Sequence, residues 1–401
     1  MHGWLLRLHR YVGLALAAFL VVIGLTGSIT AFFPDLDPWL NPDLMTVEPR
    51  GERLDTLEVL FRLQAQDPKA HLYGVFYPKG PRDTVSAYAE GAIDPKTGFE
   101  GPIAYDQVFA DPFTGERVGS RHWGDWPFER KNVFTFIYFL HYSLVLPEFL
   151  GEVFMGIVAL IWAGDCIVGF LLTLPRRAHG ARRGVGFLRR WRHAWTIHLH
   201  GGVNRFVFDW HRAAGLWLWL VLLMFAVSGF SFNLPTAYSA VMSRLTKYSD
   251  TEMSPTLPEP LVAPAVGWRE AERLGRGYMS EQAAMLGFAV ERPYGLIYRR
   301  EKGIFIYRVV SSRDLTIYGD TSVSLDAMTG RLVAVEVSTG DNAGNTFTSW
   351  IKALHQATVF GLPYRIFVSV IGVVTAGLAI TGVLIWNRKR RARSLRRMQA
   401  T

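Results

Sequence analysis

Four long apolar stretches constrain this chain more than any other feature of its sequence. Each reaches the roughly 20 residues that an α-helix needs to cross the hydrocarbon core of a bilayer. They cover residues 11–33, 153–174, 213–234 and 366–386. Three of them contain no charged residue, and the second contains one acid, Asp165. The sequence therefore predicts a membrane protein with four transmembrane helices.

The segments between these stretches differ strongly in charge. The short segment 175–212 carries nine arginines and one acid, and the C-terminal segment 387–401 carries seven lysines and arginines and no acid. The long segment 34–152 has the opposite balance, with 19 acids against 11 bases. Because lysine and arginine are concentrated in cytoplasmic loops, we expect both termini and the short loop in the cytoplasm. The segments 34–152 and 235–365 are then extracytoplasmic.

Charge and motif content exclude several classes of function. The net charge of +9 comes from bases at the expected cytoplasmic surface, where they face anionic lipid, so we expect no nucleic-acid partner. The single cysteine, Cys166, excludes a disulfide framework and a zinc or iron–sulfur site built from cysteines. The sequence lacks a nucleotide-binding glycine fingerprint and the motifs of metalloproteases and serine hydrolases.

The chain contains an internal duplication. The pattern His-Arg-x-x-Gly-Leu begins at His9 and again at His211, an offset of 202 residues, and a Leu-His pair ends at His141 and again at His355. Glycines within the apolar stretches also match: Gly27 with Gly229, Gly164 with Gly377, and Gly169 with Gly382. Parallel repeats of this kind are related by an axis along the membrane normal. We therefore expect a four-transmembrane-helix bundle built from two parallel repeats.

The two long segments share a turn signature. Asp-x-x-Thr-Gly occurs at 94–98, 111–115 and 326–330, and runs of alternating apolar residues flank these turns. Asp caps such a turn and Gly supplies its positive φ, which is hairpin chemistry. Each repeat is therefore expected to carry an α+β domain with an antiparallel sheet, in segments 34–152 and 235–365.

Together, the His-Arg-x-x-Gly repeats, the Leu-His pairs and the Asp-x-x-Thr-Gly turns resemble the PepSY-associated transmembrane family, over essentially the whole chain. Within it, the sequence is most similar to inner-membrane ferric-siderophore reductases of the FoxB type. The resemblance implies periplasmic PepSY-like domains, bound haem and a location in the bacterial inner membrane. A ferric siderophore is the implied substrate, and membrane quinol or a separate cytoplasmic reductase is the expected electron donor.

Four histidines at repeat-related positions are the candidate haem ligands. A b-type haem with bis-imidazole ligation needs two neutral histidines facing each other across an apolar slot. The expected topology puts His141 and His355 near the periplasmic face, and His9 and His211 near the cytoplasmic face. We predict two b-type haems, with His141 and His355 holding the outer one. No Cys-x-x-Cys-His occurs, which excludes covalently attached haem.

The sequence does not decide which histidines hold the inner haem. His9 and His211 form one candidate pair, and either of them with His198 or His200 forms another. His198 and His200 lie in the short basic segment, where histidines and arginines of an amphipathic stretch also commonly face lipid phosphates. For His198 and His200, the sequence favours this lipid-facing role and haem ligation equally.

Asp165 is the only acid well inside a predicted membrane helix. A carboxylate in that position is a functional candidate, and proton transfer for a quinol donor, a hydrogen bond to a haem group and helix packing all remain open. The aromatic segment 121–128, shortly before His141, is a candidate approach surface for a ferric chelate.

The predicted function is that of a ferric-siderophore reductase, a transmembrane b-type haem oxidoreductase that passes electrons to the periplasmic face. One electron loosens the ferric chelate, so no acid, base or nucleophile is needed and we predict no catalytic side chain. The alternative is a non-redox membrane sensor or scaffold whose periplasmic PepSY domains bind a partner.

Overall fold

The computed structural model describes residues 2–94, 98–175, 186–248 and 255–399. The chain divides into two units. The first, here called the helical unit, comprises Met1–Ala31, Leu140–Leu234 and Phe360–Thr401. The second, here called the sheet unit, comprises Phe32–Phe139 and Pro235–Val359.

Thirteen α-helices lie in the described residues. In chain order they are α1 (His2–Thr30), α2 (Phe33–Leu40), α3 (Pro42–Met45), α4 (Thr56–Gln66), α5 (Val133–Ser143), α6 (Glu148–Thr173), α7 (Phe187–Trp191), α8 (Gly202–Trp217), α9 (Trp219–Asn233), α10 (Pro235–Leu245), α11 (Trp268–Leu286), α12 (Ala343–His355) and α13 (Gly361–Met398). Short 3₁₀ turns cover Arg130–Asn132 and Arg192–Ala194.

Three of these helices, α1, α6 and α13, are long and apolar enough to cross a membrane. A fourth span is obtained when α8 and α9 are taken as one broken helix. The first predicted stretch, 11–33, runs too far, because α1 ends at Thr30 and Phe33 already belongs to α2. In contrast, α13 continues through the arginine-rich tail as far as Met398, since arginine is a good helix former.

The third predicted span, 213–234, is wrong as a single straight helix. The chain bends by 66° between α8 and α9, at Leu218. The tryptophans on either side of Leu218 are hydrogen-bonded to different elements. The indole N–H of Trp217 donates to the carbonyl of Trp195, and that of Trp219 donates to the carbonyl of Cys166, each at 3.1 Å. The two sides of the break are thus bonded to different elements.

Helices α1 and α13 approach each other through small residues. A β-carbon at Gly24 would lie 2.5 Å from the carbonyl oxygen of Gly372. Beside this crossing, the Ser28 hydroxyl donates to the Ser369 carbonyl at 2.7 Å, and the Ser369 hydroxyl donates to the Ser28 carbonyl at 3.0 Å. Small residues let helix backbones meet in membranes, where packing replaces the hydrophobic driving force.

A strained turn recurs where α6 and α13 begin. Leu144 and Val145 both have φ of +56°, and Phe360 and Gly361 have φ of +60° and +66°. Each pair stands directly before a Leu-Pro sequence. A positive φ is rare for residues other than glycine and is a marked outlier for a β-branched one. Val145 therefore stores strain that Gly361 avoids at the corresponding place of the second half.

Replacing Val145 by glycine is expected to raise the free energy of unfolding by about 1 kcal/mol. The relief of left-handed strain, about 1–3 kcal/mol, exceeds the entropy that a new glycine adds to the unfolded chain. Thermal unfolding in detergent measures the change. The matched control is Gly361→Val, which introduces the same strain and should lower the melting temperature. A lower melting temperature for Val145→Gly would contradict this account.

The described residues of the sheet unit form one antiparallel sheet of eight strands. In chain order they are β1 (Ala70–Phe76), β2 (Val85–Gly91), β3 (Gln107–Ala110), β4 (Arg117–Arg121), β5 (Val290–Arg299), β6 (Ile304–Ser311), β7 (Thr321–Asp326) and β8 (Leu332–Glu336). Their order across the sheet is β4-β3-β2-β1-β5-β6-β7-β8. Each of the two long segments therefore contributes one half of the sheet.

The two long segments do not form two separate domains, contrary to the expectation from the sequence. β1 and β5 pair through Gly74–Ile297, Val75–Leu296 and Phe76–Gly295, which joins the two four-stranded halves into one sheet. The pairing has a physical reason, since each half alone would expose the unpaired backbone groups of an edge strand. α4 and α11 pack on this sheet and close a core that includes Leu60, Met279 and Phe305.

The two hairpin turns predicted at 111–115 and 326–330 are confirmed. They connect β3 to β4 and β7 to β8. Gly115 and Gly330 have φ of +74° and +69°. The carboxylates of Asp111 and Asp326 accept backbone N–H groups two residues further on, at 2.7 and 3.0 Å. Residues 95–97 of the third signature lie outside the described residues.

Candidate functional site

His9 and His211 lie together in the helical unit. His9 belongs to α1 and His211 to α8, and their ring centroids are 6.3 Å apart with the planes tilted by 55°. Imidazole nitrogens bind metal ions at about 2 Å, so two rings on opposite sides of one ion have centroids roughly 6 Å apart. The separation of the two rings therefore suits two ligands of a single ion.

The hydrogen bonds of His211 determine which ring nitrogen carries the proton. Its Nδ1 lies 3.0 Å from the Leu378 carbonyl oxygen and 3.0 Å from the Thr381 hydroxyl oxygen. The Thr381 hydroxyl donates its own proton to the Gly377 carbonyl at 2.7 Å. Both neighbours of Nδ1 are thus acceptors, and Nδ1–H donates. The lone pair of the neutral ring is then on Nε2, the atom available to a metal.

His9 has a different partner at the same ring nitrogen. Its Nδ1 lies 3.0 Å from Oδ1 of Asp165 in α6, and the Asp165 side chain is only 9% exposed. The sequence had left the role of Asp165 open, and the structure makes it the partner of His9. Carboxylates and carbonyls that accept Nδ1–H fix the orientation of a metal-binding imidazole and raise its basicity.

His141, near the end of α5, repeats this arrangement with a hydroxyl. Its Nδ1 lies 3.1 Å from the Thr26 hydroxyl oxygen in α1. Thr26 donates to the Val22 carbonyl at 2.7 Å, so its oxygen accepts the Nδ1–H of His141. Three of the four predicted ligands therefore share one tautomer.

A glycine lies against each of these three imidazoles. A β-carbon would lie 3.5 Å from Cε1 of His9 if built at Gly169, 3.3 Å from Cε1 of His211 at Gly382, and 2.9 Å from Cε1 of His141 at Gly27. Gly169 and Gly382 are the repeat-related pair of the sequence. The halves thus use matching glycines to seat matching histidines.

Sequence reasoning missed the threonines that hold two of these rings. Thr26-Gly27 and Thr381-Gly382 are Thr-Gly pairs inside apolar helices. In each pair the hydroxyl accepts Nδ1–H and the following glycine leaves room for the ring. The repetition of the Thr-Gly dipeptide in two apolar stretches was the sequence signal that could have identified these threonines.

His198 and His200 have other surroundings. Nδ1 of His198 lies 2.8 Å from Oδ2 of Asp209, whose carboxylate also accepts a hydrogen bond from Arg212 at 2.9 Å. His198 thus fastens the short segment onto α8. His200 is exposed. Of the alternatives for the inner site, the geometry favours the His9–His211 pair.

His355 is the last residue of α12, in the sheet unit. Its pairing with His141 stays a prediction. Within the ranges that the structure describes, no group of three or more His, Cys, Asp or Glu side chains could hold a metal ion. A centre held by two histidines does not require such a group.

Comparison with known families identifies the chain. The family model described as PepSY-associated TM region matches residues 6–389. The chain belongs to the PepSY-associated transmembrane family. For this family member, the match and the three or four apolar helices agree on a membrane protein, as the sequence predicted. No curated protein matches the chain significantly.

Proposed function

We propose that this protein is a haem-containing oxidoreductase of the bacterial inner membrane that reduces siderophore-bound ferric iron at the periplasmic face. Both termini and segment 175–212 are cytoplasmic in this proposal, because those segments carry the excess of arginine and lysine. The electrons come from membrane quinol or from a separate cytoplasmic reductase. We call the His9–His211 pair the inner site.

The single observation that carries the proposal is the geometry of the inner site. Two histidines from different helices have ring centroids 6.3 Å apart, and the Nδ1 atom of each is engaged by an oxygen atom. This donor set fits a b-type haem, because it offers two Nε2 lone pairs and no thiolate. His141 has the same tautomer and is the outer ligand that the proposal uses.

For this reaction, the protein has to bind the haem and the chelate, and it needs no acid, base or nucleophile. A haem supplies reversible one-electron transfer. His9 and His211 would hold it, and Gly169 and Gly382 leave room for their rings. Ferric iron is bound by a siderophore far more tightly than ferrous iron, so one electron suffices to release it.

Exposed aromatic rings in the sheet unit support an approach surface for the chelate. Trp126 stacks on Phe128 and on Phe136, with ring centroids 6.1 and 5.5 Å apart. Trp126 and Phe128 are both strongly exposed. In contrast, Arg121 at the start of the predicted surface is buried and paired with Asp37, so it has a structural role.

Purified protein is expected to show the visible spectrum of a low-spin b-type haem. Dithionite-reduced protein should be re-oxidised by a ferric siderophore without oxygen, and the ferrous chelator ferrozine should develop colour in step. The gallium form of the same siderophore is the control, because gallium(III) cannot accept the electron. Protein that is colourless despite haem supply during expression would refute the proposal. Protein that stays reduced beside excess ferric siderophore would favour the sensor or scaffold alternative.

A further inference from the structure

The two histidines of the inner site differ in one respect. Asp165 and Leu378 are 213 residues apart, the same offset that relates Gly169 to Gly382. Nδ1 of His9 therefore bonds to a carboxylate at the position where Nδ1 of His211 bonds to a backbone carbonyl. The repeat supplies a neutral acceptor in one half and an acid in the other.

The acid at this position is not needed to orient an imidazole. The Leu378 carbonyl and the Thr381 hydroxyl orient His211 without any charge. Placing a carboxylate inside a membrane helix is unfavourable in free energy. A neutral acceptor would make a purely structural hydrogen bond with a smaller free-energy penalty. The negative charge of Asp165 therefore points to a role beyond orienting His9.

Within the described part of the chain, the charge of Asp165 is not balanced by a lysine or an arginine. Its side chain is 9% exposed, and its hydrogen-bond partner is the imidazole of His9. No lysine or arginine forms an ion pair with it among the residues that the structure describes. Asp209, beside His198, is different, because Arg205 and Arg212 both contact its carboxylate. A β-carbon at Gly13, one turn after His9 in α1, would lie 3.9 Å from Oδ2 of Asp165.

We propose that Asp165 is a positioning residue that makes His9 an electron-rich ligand and thereby lowers the midpoint potential of a haem at the inner site. This inference rests on the proposed function. A nearby negative charge in a low-dielectric site stabilises the ferric form, which carries one more positive charge than the ferrous form. Hydrogen bonding to the ligand is one of the means by which a protein sets a haem potential.

The difference between these partners bears on the direction of electron flow. At His141, the hydroxyl of Thr26 lies 3.1 Å from Nδ1, where His9 has the carboxylate of Asp165. Lowering the potential at the inner site would make electron transfer from it toward the periplasmic face more favourable. Asp165 thus supplies driving force for reduction at the periplasmic face.

The test is a redox titration of the haem-loaded, full-length protein. Asp165→Asn keeps an oxygen acceptor for Nδ1–H but removes the charge. We expect its ferrous/ferric equilibrium at the inner site to shift at least tenfold toward the ferrous form, which corresponds to about 59 mV for one electron. The matched control, Thr381→Val, removes a neutral partner of His211 and should shift the equilibrium by a smaller factor.

Three outcomes decide between the possibilities. Equal potentials in Asp165→Asn and the wild type would overturn this inference while leaving the proposed function intact. A wild type that binds no haem would overturn the proposed function and this inference with it. If Asp165→Asn does not retain haem, Asp165→Glu is decisive: a potential near that of the wild type supports the role of the charge, and a potential tenfold or more displaced overturns it.

Discussion

Replacing His211 by alanine is expected to abolish haem binding at the inner site. Removing a group that is hydrogen-bonded to a metal ligand lowers metal affinity about 10- to 100-fold, and removing the ligand itself lowers it further. A non-covalent haem would then keep only one imidazole of this pair, that of His9. Haem content per protein and the low-spin spectrum measure the loss. His9→Ala should have the same effect.

The control variants separate the competing ligand assignments. His198→Ala and His200→Ala should retain the haem, because His198 is bonded to Asp209 and His200 is exposed. If His198→Ala loses the haem and His9→Ala keeps it, the inner pair has been assigned wrongly. If all four variants keep full haem content, no inner site of this kind exists.

Replacing Gly24 by leucine is expected to prevent assembly of the helical unit. A β-carbon at this position would lie 2.5 Å from the Gly372 carbonyl oxygen, a distance that requires the backbones of α1 and α13 to move apart. Separation would also break the reciprocal bonds of Ser28 and Ser369. We expect a loss of at least about 3 kcal/mol, the upper part of the range for overpacking.

Size-exclusion chromatography and thermal unfolding in detergent measure this effect. Gly164→Leu is the matched control, because it puts the same side chain into another membrane helix where nothing lies within 4 Å of the new β-carbon. That variant should behave like the wild type. A monodisperse Gly24→Leu protein with an unchanged melting temperature would contradict the close crossing of α1 and α13.

The membrane helices were predictable because their signal is local. A run of apolar residues of bilayer length is sufficient to predict a helix, and this identified α1, α6 and α13. Their ends were less predictable, since α1 begins nine residues before the predicted stretch and α13 ends twelve residues after it. The break at Leu218 was not predictable in this way. Trp217 and Trp219, on either side of it, find carbonyl partners in other elements, and no pattern within 213–234 indicates where those partners are.

The candidate site was also predictable only in part: its histidines could be predicted, but their hydrogen-bond partners could not. The duplication pointed to His9, His141 and His211 as candidate ligands, since repeat-related positions can be compared within one sequence. Their hydrogen-bond partners lie in other helices, and Thr26 is 115 residues from His141. A hydroxyl inside an apolar helix is also commonly bonded to the backbone of its own helix. Its presence in the sequence therefore does not predict a hydrogen bond to a side chain from another helix.

The joined sheet has a consequence for how the chain is made. β1 is synthesised in the first half and acquires its neighbour β5 only after two further membrane helices have been inserted, since β5 begins at Val290. Until then the β1 edge is open, and an open edge invites pairing with other chains. Strand pairs so distant in sequence also close slowly. Biogenesis of this protein is therefore exposed to aggregation during translation, and a chaperone that shields strand edges on the side where β1 emerges would improve its yield.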